Sequence, residues 1–341
     1  MKKSAIQVIS FCTIILLIIS GCSSNKKNEP DKDEGKYTKI SVRMPIPIIE
    51  AGQTTFYVAQ DQGYYKEEGL NINFKLGSKE LNPIKMVATG EDDFAILGGP
   101  DALLTAVSKG QKLKAIAIIH RNSNFPCLIT LKSSGITKLE QLKGEKIGFY
   151  YGHISTDVLR ALFRQNQIKI KEVDVGFDYN QLISGQIAAE WAFTVTGGLE
   201  LPAKGININI ITPADYGIIT HGYTIFASEE MINKHPETVL KFLRASLKGV
   251  KFTLEHPNEA LESLFKRDPK LDRELNKKRQ AAYNAVTSSS DNYPIGYMDY
   301  SMFKGTYDRL VNEKVITEPF NIKEAFTTKF LSEIYKRQFD K

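Results

Sequence analysis

Apolar positions in this chain keep two rhythms, and the two alternate from residue 39 onward. Short runs rich in β-branched and aromatic residues (40–44, 71–76, 94–97, 114–120 and 127–131) read as strands. The stretches between them (54–62, 82–89 and 100–109) space their apolar side chains as helices do. Phe56, Tyr57, Val58 and Ala59 supply the apolar positions of the first helix, which Gly63 closes. A second round follows: a short helix and a strand within 139–149, helices at 155–165 and 179–187, and strands at 191–195 and 206–211. Val158, Leu159, Leu162 and Phe163 share one face of the helix at 155–165. From residue 228 the pattern is mostly helical, with Pro236 and Pro257 near helix starts. Strand and helix taking turns predicts α/β units with mainly parallel strands.

The N-terminal stretch follows neither rhythm. Lys2 and Lys3 precede an apolar run that ends in Ile19, Ser20, Gly21 and Cys22, the order of a secretory leader. Those last four residues read as a lipobox, in which Cys22 takes a lipid and becomes the mature N-terminus. An ordinary signal peptide or a short anchor with a chance cysteine is the alternative. The unbroken apolar run, 14–19, falls short of the roughly 20 residues that a membrane span needs. Residues 23–38, SSNKKNEPDKDEGKYT, offer almost nothing to bury and read as a solvated tether. The expected order is a leader at 1–21, a tether at 22–38 and a folded region from 39 on, held outside the cytoplasm at the cell membrane.

Charge and cysteine content narrow the chemistry. The formal charge of +6 includes the two leader lysines, and no dense basic block stands in the folded part, so nucleic acid is not an expected partner. Cys12 leaves with the leader and Cys22 is lipidated, so Cys127 stands alone, without an internal disulfide or a multi-cysteine metal site. Its setting, Phe125-Pro126-Cys127-Leu128-Ile129, reads as entry to a buried strand and favours a small core residue over a nucleophile. The histidines (His120, His153, His221, His235 and His256) are dispersed, with no His-Glu-x-x-His pattern. No nucleophile elbow, dinucleotide fingerprint or P-loop is present either. The chain is therefore expected to hold no catalytic residue, metal or cofactor.

Three stretches carry a resemblance: TFYVAQDQGYYKEEGL at 55–70, TGEDDFAI at 89–96 and GITKLEQLKGEKIG at 135–148. They are similar, in this order, to extracytoplasmic solute-binding proteins of ABC importers, in the branch that handles nitrate, sulfonates, taurine and thiamine-pyrimidine precursors. The resemblance covers roughly 40–335. It implies a two-lobed α/β type II periplasmic-binding-protein fold with two crossing hinge segments and a ligand cleft between the lobes. Lobe one is expected at 39–124 and 226–341, and lobe two at 125–225. Implied partners are a small polar solute, an ABC permease with its ATPase, and the membrane through the lipid on Cys22; the protein itself is expected to be a monomer.

Ligands of α/β sheets sit beyond the carboxyl ends of the strands, which nominates four loops. The first holds Pro45, Pro47, Glu50 and Gln53, and the second Gly99 and Asp101. The third holds Tyr150, Tyr151, His153, Ser155 and Thr156, and the fourth begins at Glu190 and Trp191. Ser155 and Thr156 stand at a helix start, where free N–H groups and hydroxyls can receive an anion or a polar ring, or serve as a plain N-cap. Asp101 and Glu190 would repel nitrate or a sulfonate and suit an exocyclic amine or a protonated ring nitrogen. Tyr57, Tyr150, Tyr151, Trp191 and Tyr223 could stack on a flat heterocycle. The plainer alternative makes Asp101 a helix-dipole partner and the aromatics core.

The chain departs from the family in two places. Thiamine-precursor binders carry a Trp and an Asn-His pair in the first loop, where this chain has 43–50, RMPIPIIE. The family's G-x-V-D-A turn reads Gly185-Gln186-Ile187-Ala188-Ala189, with Ala188 in the place of Asp. A pyrimidine-type thiamine precursor or related heterocycle is the leading ligand, and an organosulfonate, taurine or nitrate the alternative. A pyrimidine-synthesising enzyme, known among eukaryotic relatives by an active-site His and a cysteine-rich motif, is the rival class. A sensory lipoprotein is the third reading.

Overall fold

The computed structural model describes residues 35–78, 81–151, 154–287 and 293–339. Cys22 and His153 lie outside the described residues, and so does the side chain of Ser155. No helix among the described residues is long and apolar enough to cross a membrane.

The first round of the pattern supplies strands β1 (Thr38–Arg43), β2 (Leu70–Lys75), β3 (Phe94–Leu97) and β4 (Leu113–Ile118). The second supplies β5 (Pro126–Leu131), β6 (Lys146–Phe149), β7 (Lys171–Asp174), β8 (Ala189–Phe193) and β9 (Ile208–Ile211), and the chain then returns as β10 (Thr224–Ser228). Among the described residues these form two five-stranded sheets, ordered β2-β1-β3-β10-β4 and β7-β6-β8-β5-β9. The orders match when the second sheet is numbered from β6 and β5 is counted last. In both, the strand that enters after a crossing (β10 or β5) is inserted antiparallel beside otherwise parallel neighbours. Helices cover both faces, so central strands such as β3 are buried throughout and read as continuous apolar runs.

Two elements escape the apolar pattern. β7, KEVD, is a mostly exposed edge strand with one half-buried Val173, so it shows no apolar rhythm. β10 spans the expected lobe join at residues 225 and 226, and pairs on both sides within the first sheet.

Two segments cross between the sheets, at 119–125 and 212–223, and they run side by side. Ile119 N–H donates to the Tyr223 carbonyl and Gly222 N–H to the His120 carbonyl, each at 2.7 Å. Asn122 and Asn124, with φ of +45° and +49°, take the left-handed turn that asparagine tolerates better than most residues. The Asn124 side chain accepts from Thr220 N–H at 2.9 Å.

On the first sheet's outer face the helix Pro236–Glu255 closes on the helix Thr54–Asp61. Gly249 permits that approach, because a Cβ there would stand 2.3 Å from the Thr55 carbonyl oxygen and 2.7 Å from the Ala59 Cβ. This contact seats the turn that carries Glu50 and Gln53.

Candidate functional site

A Pro-rich turn leads from β1 to Glu50, which is extended, and then into a buried turn at Ala51–Gln53. Glu50 is fully buried. Its Oε1 accepts from the Tyr223 hydroxyl at 2.8 Å, and it also bonds with the Gly52 N–H and the Tyr283 hydroxyl. No other residue fits at position 52, since a Cβ would lie 2.6 Å from Glu50 Oε1, 2.7 Å from the Tyr283 ring and 2.8 Å from the Tyr223 hydroxyl. Burial pushes the Glu50 carboxyl above its ordinary range, and these hydrogen bonds and the charge of Arg279 pull it partly back. Its second oxygen, Oε2, is buried with no partner.

Aromatic rings enclose this acid. His120 packs 4.9 Å from Tyr223, 5.0 Å from Tyr283 and edge-on to Phe125 at 5.7 Å, centroid to centroid. Burial drives its titration down to about 3, so the imidazole is neutral. Gln53 is buried beside Glu50 in sequence, but its amide is occupied: it donates to the Ile48 carbonyl and accepts from the Tyr57 hydroxyl at 2.7 Å.

The helix Arg273–Thr287 covers the cluster with a polar face. Asn276, Arg279, Gln280 and Tyr283 recur at helical spacing and all are buried. Arg279 reaches the helix Gly197–Ala203, which follows β8, and donates to Glu200 Oε2 at 3.1 Å. Val195 joins Ala51, Tyr57, Phe125 and Tyr283 in one apolar cluster, so the two lobes meet beside Glu50. Asn276 Oδ1, Arg279 Nε and Gln280 Oε1 are buried and unpartnered, as is Glu50 Oε2. Each such atom costs about 1–3 kcal/mol if nothing satisfies it. Three of these atoms lie on one face of this helix and the fourth on Glu50.

The other nominated residues divide differently. Asp101 is 5% exposed and accepts from Arg309, so its carboxylate has a partner within the chain instead of standing open to a ligand donor. It borders a cavity of about 720 Å³ that reaches from Lys85 and Thr105 to Asp157 and Arg160 of the second lobe. Gly99 is buried where a Cβ would press 2.8 Å from the His221 carbonyl oxygen. Pro47 is exposed, and Tyr151 is 39% exposed with Arg160 over its ring. Thr156 is buried and its hydroxyl donates to the Tyr150 carbonyl at 2.9 Å, which leaves that proton unavailable to an anion.

Glu190 and Trp191 were expected to share a ligand, and strand geometry forbids it. Successive side chains of β8 point to opposite faces of the sheet. Trp191 packs with Leu128, Leu159 and Leu162 and stacks on Tyr150 with ring centroids 5.6 Å apart. Glu190 faces the other side, with its Cγ where a Cβ on Gly148 would come within 3.2 Å. Burial, helped by Asp178, pushes the Glu190 carboxyl up from 4.5 to about 8. Between those two values the folded chain keeps a proton that the unfolded chain has released, so stability is lost as pH rises through the window. Glu190→Gln is expected to leave stability unchanged at pH 4 and to raise it by up to about 3 kcal/mol at pH 7, read from urea midpoints. Equal midpoints at pH 7 would mean that Glu190 ionises freely.

Sequence reasoning missed Tyr283, Arg279 and His120 as members of the Glu50 cluster. The polar face of 276–283 was the available signal, but the whole helix is polar and the buried face does not stand out.

The NMT1/THI5-like family profile matches residues 51–260, which begin just after Glu50 and include both crossings and Tyr223. The chain belongs to the NMT1/THI5-like family. It is 24% identical to the riboflavin-binding protein RibY of Chloroflexus aurantiacus, over 96% of this chain and 98% of that one. It is 26% identical to the formylaminopyrimidine-binding protein of Halalkalibacterium halodurans, over 76% and 78%. The 4-amino-5-hydroxymethyl-2-methylpyrimidine phosphate synthase THI13 of Saccharomyces cerevisiae is 27% identical, over 69% and 73%. Among solved structures, the alkanesulfonate-binding protein SsuA from Xanthomonas axonopodis pv. citri superposes with a TM-score of 0.66 at 11% identity, covering 85% of this chain and 98% of that one. The two-lobed α/β arrangement of this NMT1/THI5-like chain is therefore the periplasmic-binding-protein fold.

Proposed function

We propose that the protein is the solute-binding component of an ABC importer, held at the outer face of the membrane by a lipid on Cys22. Its solute is a flat nitrogen heterocycle, a pyrimidine-type thiamine precursor or a related ring. The observation that carries this reading is Glu50: a buried carboxyl with one oxygen unpartnered, ringed by Tyr223, Tyr283 and His120 where the lobes meet. Such a group suits a ring that presents an amine or a protonated nitrogen, with the aromatics as stacking surfaces. The names of the riboflavin- and formylaminopyrimidine-binding relatives agree with that chemistry.

A sulfonate or nitrate fits less well. Each buried arginine of the described residues already faces a carboxylate: Arg43 with Asp92, Arg279 with Glu200 and Arg309 with Asp101. Synthesis of a pyrimidine fits less well too. Cys127 is buried, and desolvation pushes its thiol far above the range in which it could act.

Native mass spectrometry of protein purified from its own host should reveal one bound heterocycle. A thermal-shift panel should give stabilisation by pyrimidines or riboflavin and none by sulfonates or nitrate. Stabilisation by a sulfonate alone, or consumption of any panel compound, would overturn the reading.

A further inference from the structure

His120 packs into the Glu50 cluster, and the next residue of the same crossing, Arg121, packs elsewhere. The Arg121 guanidinium lies 4.3 Å over the Tyr293 ring and 5.1 Å over the Tyr297 ring, and those rings stack with centroids 4.3 Å apart. Its Nε is buried without an acceptor, and no carboxylate of the described residues pairs with it. Arg121 borders a cavity of about 520 Å³. Gln165 and Ile218 of the second lobe bound one side, and Ser301, Thr306 and Asn312 of the helix Tyr300–Asn312 bound the other.

Most other charges on this wall are balanced. Arg309 pairs with Asp101, and Asp308 with Lys304 at 2.6 Å. Burial drives His221 down to about 4, so its imidazole is neutral, and its Nδ1 accepts from the Asn122 N–H at 3.1 Å. Asp299 has no cationic partner among the described residues but accepts three hydrogen bonds. They come from the Ser301 hydroxyl at 2.6 Å, the Met302 N–H at 3.0 Å and the Tyr297 hydroxyl at 3.1 Å. A carboxylate has roughly four acceptor positions, so one is left open. Tyr297 thus joins the two unbalanced charges, with Arg121 over its ring and Asp299 on its hydroxyl.

We infer that this cavity is a second binding site, for a small zwitterion with one carboxylate and one ammonium group, such as an amino acid. The tyrosine rings cover the face of the guanidinium and leave its N–H edge, which suits a planar carboxylate held by two parallel bonds. The ammonium meets the open acceptor position of Asp299. A simple anion would meet the Asp299 charge unbalanced, and a simple amine would meet that of Arg121. Gln165, Ser301, Thr306 and Asn312 supply neutral hydrogen-bonding groups for the rest of the ligand.

Calorimetric titration of the whole chain with glycine, L-serine and β-alanine tests this site. At least one should bind saturably, with acetate, methylammonium and inorganic phosphate weaker by roughly tenfold or more. Arg121→Lys keeps the charge and loses the fork, and should weaken the amino acid by a similar factor. Asp299→Asn keeps a good helix cap and loses the charge, so the amino acid should then bind no better than acetate. Gly305 lines the cavity, and a Cβ there meets nothing within 4 Å, so Gly305→Phe should fill the space and abolish binding. Saturation by none of the three amino acids would overturn the site. So would acetate or phosphate binding as tightly as they do, or native affinity in Arg121→Lys. The inference is independent of the solute-binding reading, and a different solute at Glu50 would leave these titrations unchanged.

Discussion

Asp101→Ala is expected to lower stability by about 3–5 kcal/mol, the range observed when one partner of a buried ion pair is removed. In a chain of this size that is a fall of roughly 10 °C in Tm. The reason is Arg309, which is 7% exposed and donates to Asp101 from the helix Tyr300–Asn312. Without the carboxylate, a guanidinium charge stays buried with nothing to balance it. Removing both charges should be far milder: Asp101→Leu with Arg309→Met is expected to recover most of the loss, because well-packed apolar side chains often match a buried pair. Solute affinity should follow stability and nothing else, with the double variant binding as the native protein does. A single variant that loses under 1 kcal/mol would show that the neighbouring cavity lets water reach Arg309. A stable double variant that no longer binds would return Asp101 to the site.

The contrast between Asp101 and Glu50 explains what could be read along the chain and what could not. Both are acids at the carboxyl end of a first-sheet strand, and both were nominated on that ground. Asp101 finds its partner 208 residues away, on a helix whose local sequence gives no hint of the meeting. Glu190 and Trp191 are nominated by the same strand-end rule, but both fall inside β8, where successive side chains face opposite sides of the sheet. β3 and the helix Thr54–Asp61 were legible because their burial is dictated by their own apolar runs. β10 was not, since its antiparallel insertion between β3 and β4 follows from a return crossing and from no pattern within its five residues. The Glu50 cluster is the extreme case: Glu50, His120, Tyr223 and Tyr283 come from four separate segments. Local periodicity places each segment, and only the assembled lobes bring the side chains together.

Glu50→Gln is expected to separate binding from stability, moving them in opposite directions. The fold raises the Glu50 carboxyl above 4.5 chiefly by desolvation, so the native state holds its proton more tightly than the unfolded chain does. That favours the fold fully below pH 4.5, and the advantage is lost as pH rises through the raised value. An amide mimics the neutral acid at every pH. The variant should therefore match the native protein near pH 4 and exceed it in thermal stability at pH 7. Binding should go the other way, because glutamine cannot present the charge that an amine or protonated ring nitrogen needs. Losing a charge-assisted hydrogen bond in a buried site lowers affinity by roughly 10–100-fold. Calorimetric titration with the solute identified by mass spectrometry reads the affinity, and thermal unfolding at pH 4 and pH 7 reads the stability. A residue present only for packing would weaken both or neither. A Glu50→Gln protein that binds as tightly as the native one would make the acid a core group, and the cleft's recognition chemistry would have to come from the polar face of the helix Arg273–Thr287 instead.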